Sequence, residues 1–189
     1  GECKTVYTEN DFTNTVDSSN GYHTPVLYQT KTYEITGLAA PADDYYTLKE
    51  INTACASAAL IDYNVMPSGA LQKRIMNWTR LQFRADDGVD VLSFGLLEAK
   101  ALLHRSFKAA FNQSQLANVF GVKISFADLN TLLLNPVKGG YIFADGYYWI
   151  PSGTAVYDTA HFFHAISFTD PFGNSSKVEY DNKYHFFIQ

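Results

Sequence analysis

A chain of 189 residues with 47% hydrophobic and 15% aromatic side chains can bury roughly 70% of its unfolded surface in one domain, which excludes a disordered segment. Its 14 basic and 19 acidic residues leave a net charge of −5, and the nearest thing to a basic patch, Lys73-Arg74 with Arg80 and Arg84, is better explained as a solvated face than as a nucleic-acid contact. No apolar run approaches the ~20 residues of a membrane helix. Two cysteines, Cys3 and Cys55, cannot make a disulfide scaffold and are not spaced as a zinc pair, so both are expected as unpaired thiols, Cys55 buried as a small hydrophobe.

Thr, Tyr and Val with Gly and Pro punctuation predict two extended strands at the start, about Thr5 to Phe12 and Val26 to Thr36, separated by a turn at Asp17 to Gly21. Thr47-Leu48-Lys49-Glu50 is a capping box: the Thr47 hydroxyl can accept from an early helical N–H while Glu50 reaches back, starting a helix expected to run to about Leu60. Pro67-Ser68-Gly69 ends that section. Ile75, Trp78, Leu81 and Phe83 favour an extended segment closed by a turn at Ala85 to Gly88, though a helical reading stays open. From Phe94 to Phe111 the apolar positions Leu96, Leu103, Phe107 and Ala110 recur at helical spacing and predict a long helix. Short helices follow at Ser114 to Phe120, stopped by Gly121, and at Phe126 to Leu134, ended by Asn135-Pro136. Beyond Gly139-Gly140 the pattern returns to strands at 141–144, 147–151, 154–157, 164–169 and 175–180.

The fold class expected from this order is α+β and β-dominated. Residues 1–40 supply strands, 41–138 a mainly helical insert, and 139–189 antiparallel hairpins. Asp170-Pro171-Phe172-Gly173 is the clearest hairpin signal: Asp can bond its own backbone, Pro presets φ, and Gly tolerates positive φ, as a type I turn with a glycine bulge requires. Its arms, His164 to Asp170 and Asn174 to Asp181, alternate Ile166 and Phe168, then Val178 and Tyr180, with polar neighbours.

Candidate chemistry is sparse. His161 and His164, with Asp158 and Asp170 nearby, could share a metal on a helix, but on a strand residues three apart point to opposite faces, and no third ligand follows. Asp86, Asp87 and Asp90 around Gly88 lack the ligand alternation of a calcium loop. Ser68 and Ser152 lie in Pro-Ser-Gly turns without a nucleophile elbow, and Glu34 and Glu98 have no partner at a glycosidase spacing. Tyr141, Phe143, Tyr147, Tyr148 and Trp149 could stack a sugar or base, but alternating aromatics more often pack across a sheet. The expectation is no catalytic residue, no cofactor-binding residue and no metal ligand.

The phrase Trp149-Ile150-Pro151-Ser152-Gly153, the turn Asp170-Pro171-Phe172-Gly173-Asn174 and the pair Tyr180-Asp181 resemble the RHS or YD-repeat region in the B component of bacterial insecticidal toxin complexes. Tyr7-Thr8-Glu9-Asn10, Tyr22 to Pro25 and Thr32 to Leu38 are similar to phrases that family places upstream, and the middle matches more loosely through Arg80 to Arg84 and Asn118-Val119-Phe120-Gly121. The family's phrase corresponding to Phe94 to Phe111 contains a proline and is extended, against the helical spacing here. The resemblance implies a structural wall section of a β-hairpin shell that encloses a toxic cargo. It also implies as partners the rest of that shell and its cargo component, and as location the secreted toxin. The family's self-cleaving aspartate site belongs to the far end of the shell, and no residue here matches it. Gly1-Glu2-Cys3 and the apolar close Phe186-Phe187-Ile188 are expected to be cuts through a longer chain, leaving strand edges near Thr5 to Phe12 and Val178 to Ile188 able to self-associate. The alternatives are a carbohydrate-binding or adhesion module using Trp149 and the tyrosines, and a metal-dependent hydrolase using His161 and His164.

Overall fold

The computed structural model describes residues 5–41 and 43–181. Its main sheet has the strand order β1-β4-β6-β7-β9-β8, formed by Thr5–Phe12 (β1), Leu27–Thr36 (β4), Gln72–Phe83 (β6), Leu103–Asn112 (β7), Tyr147–Pro151 (β9) and Ile142–Ala144 (β8). Every neighbouring pair along that path is antiparallel. Val16–Ser18 (β2) and Gly21–His23 (β3) form a separate hairpin, and Thr154–Asp158 (β10), His164–Thr169 (β11) and Ser175–Lys177 (β12) form a three-stranded antiparallel sheet. The β-dominated α+β class expected from the sequence is the one found; helices Leu48–Ser57 (α1), Gln113–Phe120 (α2) and Phe126–Leu134 (α3) fall between residues 41 and 138, and so do the main-sheet strands β6 and β7. No helix among the described residues is long and apolar enough to cross a membrane.

The capping box forms as read. Glu50 N–H donates to Thr47 Oγ1 at 3.3 Å and Thr47 N–H to Glu50 Oε2 at 2.7 Å. The helix stops at Ser57, short of the expected Leu60, because Ala59 N–H donates to Leu71 O and Ile61 N–H to Lys73 O, drawing Ala59–Leu60 (β5) into a parallel pair with β6. A sheet ladder satisfies those backbone groups where another helical turn would have left carbonyls at the end unpaired.

The long helix expected over Phe94 to Phe111 does not exist. Residues 103–112 are β7, held between β6 and β9, while 92–102 run as an irregular connection. Leu103 and Phe107 are four apart, a spacing compatible with both periods, so the apolar pattern could not separate helix from strand. Backbone pairing on both sides of the segment decided it.

Two clusters anchor the main sheet. At the β1-β4-β6 side Tyr33, Ile35 and Cys55 are buried together, with Tyr7, Leu38, Leu71 and Ile75 packed against them, so α1 closes over that end. At the other end Leu116 from α2, Leu129 from α3 and Tyr148 from β9 bury one another beside Phe111, Ile124, Leu133 and Tyr141. Tyr148 and Trp149 are successive strand residues and so point to opposite faces. Trp149 meets Trp78 edge-on, with ring centroids 4.8 Å apart.

Candidate functional site

Of the aromatic group expected to be core, Tyr148 and Trp149 are buried, Tyr141 and Tyr147 are half-buried, and Phe143 is exposed. Tyr148 is fully buried and gives its hydroxyl hydrogen to Asn130 Oδ1 at 2.7 Å, and Trp149 is 2% exposed with its indole N–H donated to Ala144 O at 2.9 Å. Tyr147 and Trp149 both pack edge-on against Trp78, and the Arg80 guanidinium lies 4.4 Å from the Trp78 ring and 4.7 Å from the Trp149 ring. A ring this enclosed cannot present a face to a sugar, so Trp149 does not supply the stacking platform that the carbohydrate-binding alternative needs. A 240 Å³ cleft does open beside this stack, lined by Arg80, Gln82, Phe94, Phe107, Ile142 and Trp149, and its lining is largely apolar.

The two histidines depart from the strand argument. Only His164 is on a strand; Thr159 to Phe163 form the turn between β10 and β11, where Phe162 and Phe163 take left-handed φ of 56° and 57°. That turn brings His161 and His164 to the wall of one 350 Å³ cleft with Asp158, Ile166, Val178, Tyr180 and Asp181, instead of sending them to opposite faces. His161 Nδ1 lies 2.8 Å from Asp158 Oδ2, and this bond holds the Asp158 carboxyl below its ordinary pKa. Asp170, the carboxylate considered with them, is not part of the cleft; it sits in the β11–β12 turn. Among the described residues no group of three or more His, Cys, Asp and Glu side chains is arranged to hold a metal.

The remaining candidates are occupied by structure. Asp87 Oδ1 accepts from the N–H of Val89 at 2.7 Å and of Asp90 at 3.0 Å, an Asx turn, which lowers its pKa; Asp86 Oδ1 accepts from Lys100 N–H at 2.7 Å. Glu98 Oε2 takes the Asp86 N–H at 2.6 Å, and Glu34 forms a mostly buried ion pair with Arg74. Ser152 Oγ accepts the Ser106 N–H at 2.9 Å and donates to Gly153 O at 2.8 Å, while at Ser68 it is the backbone N–H that donates to Gln72 Oε1 at 2.8 Å. Cys55 is free and 1% exposed, and burial raises its thiol pKa; Cys3 lies outside the described residues. The basic residues are not one patch: Lys73 Nζ donates to Cys55 O, Arg80 to Gln29 and Asp145, and Arg84 to Val89 O.

One cluster was not legible in the sequence. His104 and Arg105 are consecutive in β7, and the β6–β7 register sets them beside Arg84. Reading 94–111 as a helix hid this juxtaposition, which needs the strand pairing to be seen.

The β11–β12 hairpin forms around the Asp-Pro-Phe-Gly turn as expected. Thr169 pairs with Ser175, Phe168 with Ser176 and Ser167 with Lys177. Gly173 N–H closes the turn on Asp170 O at 3.1 Å with Gly173 at φ 89°, and Asp170 N–H donates to Asn174 O at 2.9 Å. The ladder ends at Lys177, before the expected Asp181, but the arm stays attached through Val178 N–H to Ile166 O at 2.9 Å and Tyr180 Oη–H to Ala165 O at 3.1 Å.

With that arrangement in place, the fold can be matched. It is the fold of a section of the Tc toxin structures. The chain superposes over 98% of its length, with a TM-score of 0.69 and 15% identity, on a structure of the Photorhabdus luminescens Tc holotoxin pore carrying a TccC3 mutation. It superposes over 98% with a TM-score of 0.62 and 13% identity on the crystal structure of TcdB2-TccC3. It spans 8% and 10% of those chains, so the likeness is to one section of a much larger molecule. No protein-family model matches the chain, and no curated protein matches it significantly.

Proposed function

We propose that this chain is a wall section of an RHS-type shell, a secreted bacterial toxin component that holds a toxic cargo domain and helps deliver it, and that it performs no reaction itself. The observation that carries this reading is the extent of the match: 98% of the chain follows one section of a Tc toxin chain at a TM-score of 0.69. The local chemistry supports it. Strands pairing with their neighbours and a face of packed aromatic residues suffice for a wall, and Ser152, Asp87 and Glu34 are held in local hydrogen bonds and an ion pair.

The test is protease protection. The full-length protein is produced with its cargo component and exposed to a nonspecific protease. A cargo domain that survives while the same domain in isolation is digested supports enclosure. Digestion of the cargo at the rate of the free domain contradicts it.

A further inference from the structure

At the end of the β6–β7 ladder three cationic or potentially cationic side chains meet. Arg105 pairs with Gln82, two residues from Arg84; Arg84 N–H donates to Leu102 O at 2.7 Å; and His104 occupies the register shift between them. Among the described residues Arg84 Nε, His104 Nδ1 and Arg105 Nε are all shut off from solvent without a hydrogen-bond partner. The bonds Arg84 does make go to neutral carbonyl oxygens, those of Val89 and Ala155. Burial, then the charge of Arg84, then that of Arg105, presses the His104 pKa down to about 4, and burial and Arg84 lower that of Arg105.

Asp86, Asp87 and Glu98 of the adjoining loop each hold a backbone amide through one carboxylate oxygen. Asp87 senses the Arg84 charge but spends Oδ1 on the Val89 and Asp90 amides; Asp86 receives Lys100 N–H; Glu98 receives Asp86 N–H. Asp87 is thus the loop carboxylate coupled to Arg84, and a buried guanidinium N–H left without an acceptor destabilises the fold. Both arginines are half-buried, so part of each side chain stays at the surface although its Nε is covered.

We propose that Arg84, His104 and Arg105 form a docking site for a carboxylate side chain, an Asp or Glu of the protein segment packed against this end of the sheet. The proposal rests on the wall reading, in which the matched chains contain about ten times more protein than this section and so supply such a segment. A carboxylate suits the site because a guanidinium fork matches its two oxygens and charge-assisted bonds are about twice as strong as neutral ones.

The test titrates the 189-residue chain at neutral pH and constant ionic strength with citrate and, separately, with inorganic phosphate. It is read by NMR at the arginine Nε–H groups and the His104 ring. Citrate should give a saturable shift confined to Arg84, His104 and Arg105, and Arg105→Gln should weaken it about tenfold or more. Arg105→Lys, which keeps the charge but loses the fork, should weaken it less, and thermal melting of each variant confirms that it is folded. Three results would overturn the proposal: no saturable shift, a citrate response unchanged in folded Arg105→Gln, or an equal response to phosphate. Protected cargo with no citrate response sinks this site alone, whereas digested cargo with a citrate response sinks the wall reading and leaves a carboxylate site standing.

Discussion

Asp170 accepts from Phe172 N–H at 2.9 Å, Asn174 N–H at 2.8 Å and Asn174 Nδ2 at 2.8 Å, and those bonds, led by the Asn174 side chain, lower its pKa from the ordinary 3.8. Its folded pKa lies below the unfolded one, so its contribution is present above the unfolded value and disappears as pH falls through the folded one. Asp170→Ala should therefore lower the melting temperature at neutral pH and leave it unchanged in strong acid; an equal loss at both would mean the charge does not hold the turn. His104 runs in the opposite charge sense. With its pKa depressed from 6.5 to about 4, the unfolded chain binds a proton that the folded chain refuses, so stability should climb with pH across that window. His104→Gln should flatten the climb in acid-to-neutral melting curves. Of these two residues, Asp170 was legible because an Asx turn is local, while His104 was not, because its environment comes from Arg84 across the ladder.

Elements separate along the same line. The capping box at Thr47, the Gly121 stop at φ 53° and the tight turn at Asp170 to Gly173 are decided within a few residues, and there α1 begins, α2 ends and the β11–β12 hairpin turns where the sequence places them. β5 and β7 are decided by partners far along the chain, so Leu60 and Phe107 read as helical and fold as strand. The His161 to His164 spacing failed for a related reason: the strand period was applied across a turn. Glycines give a quantitative check at this scale. Gly173, at φ 89°, has nothing within 4 Å of a built Cβ, so Gly173→Ala should cost only the left-handed strain, about 1 kcal/mol. Gly37, at φ 71°, would place a Cβ 2.1 Å from Ala70 O, a backbone atom, and Gly37→Ala should cost on the order of 3 kcal/mol. Denaturant unfolding of the two variants should show that order; equal losses would contradict the packing at Gly37.

At the scale of the whole molecule, the main sheet ends on β1, which among the described residues pairs only with β4 and exposes Val6 and Phe12. An unpaired edge strand of eight residues with exposed apolar side chains can recruit another strand. Sedimentation should show concentration-dependent self-association that Val6→Lys reduces, and a clean monomer at high concentration would count against an edge that needs a neighbour. The second edge expected to behave this way, Val178 to Ile188, lies largely outside the described residues. Whether the proposed wall is continuous can be seen by electron cryo-microscopy of the full-length protein with its cargo component. A hollow shell is expected in which residues 5–181 lie in the wall, with β1 paired to a strand of the adjoining section and density for the cargo inside. A section standing apart from any enclosure, with β1 bare and the cargo exposed to solvent, would contradict it.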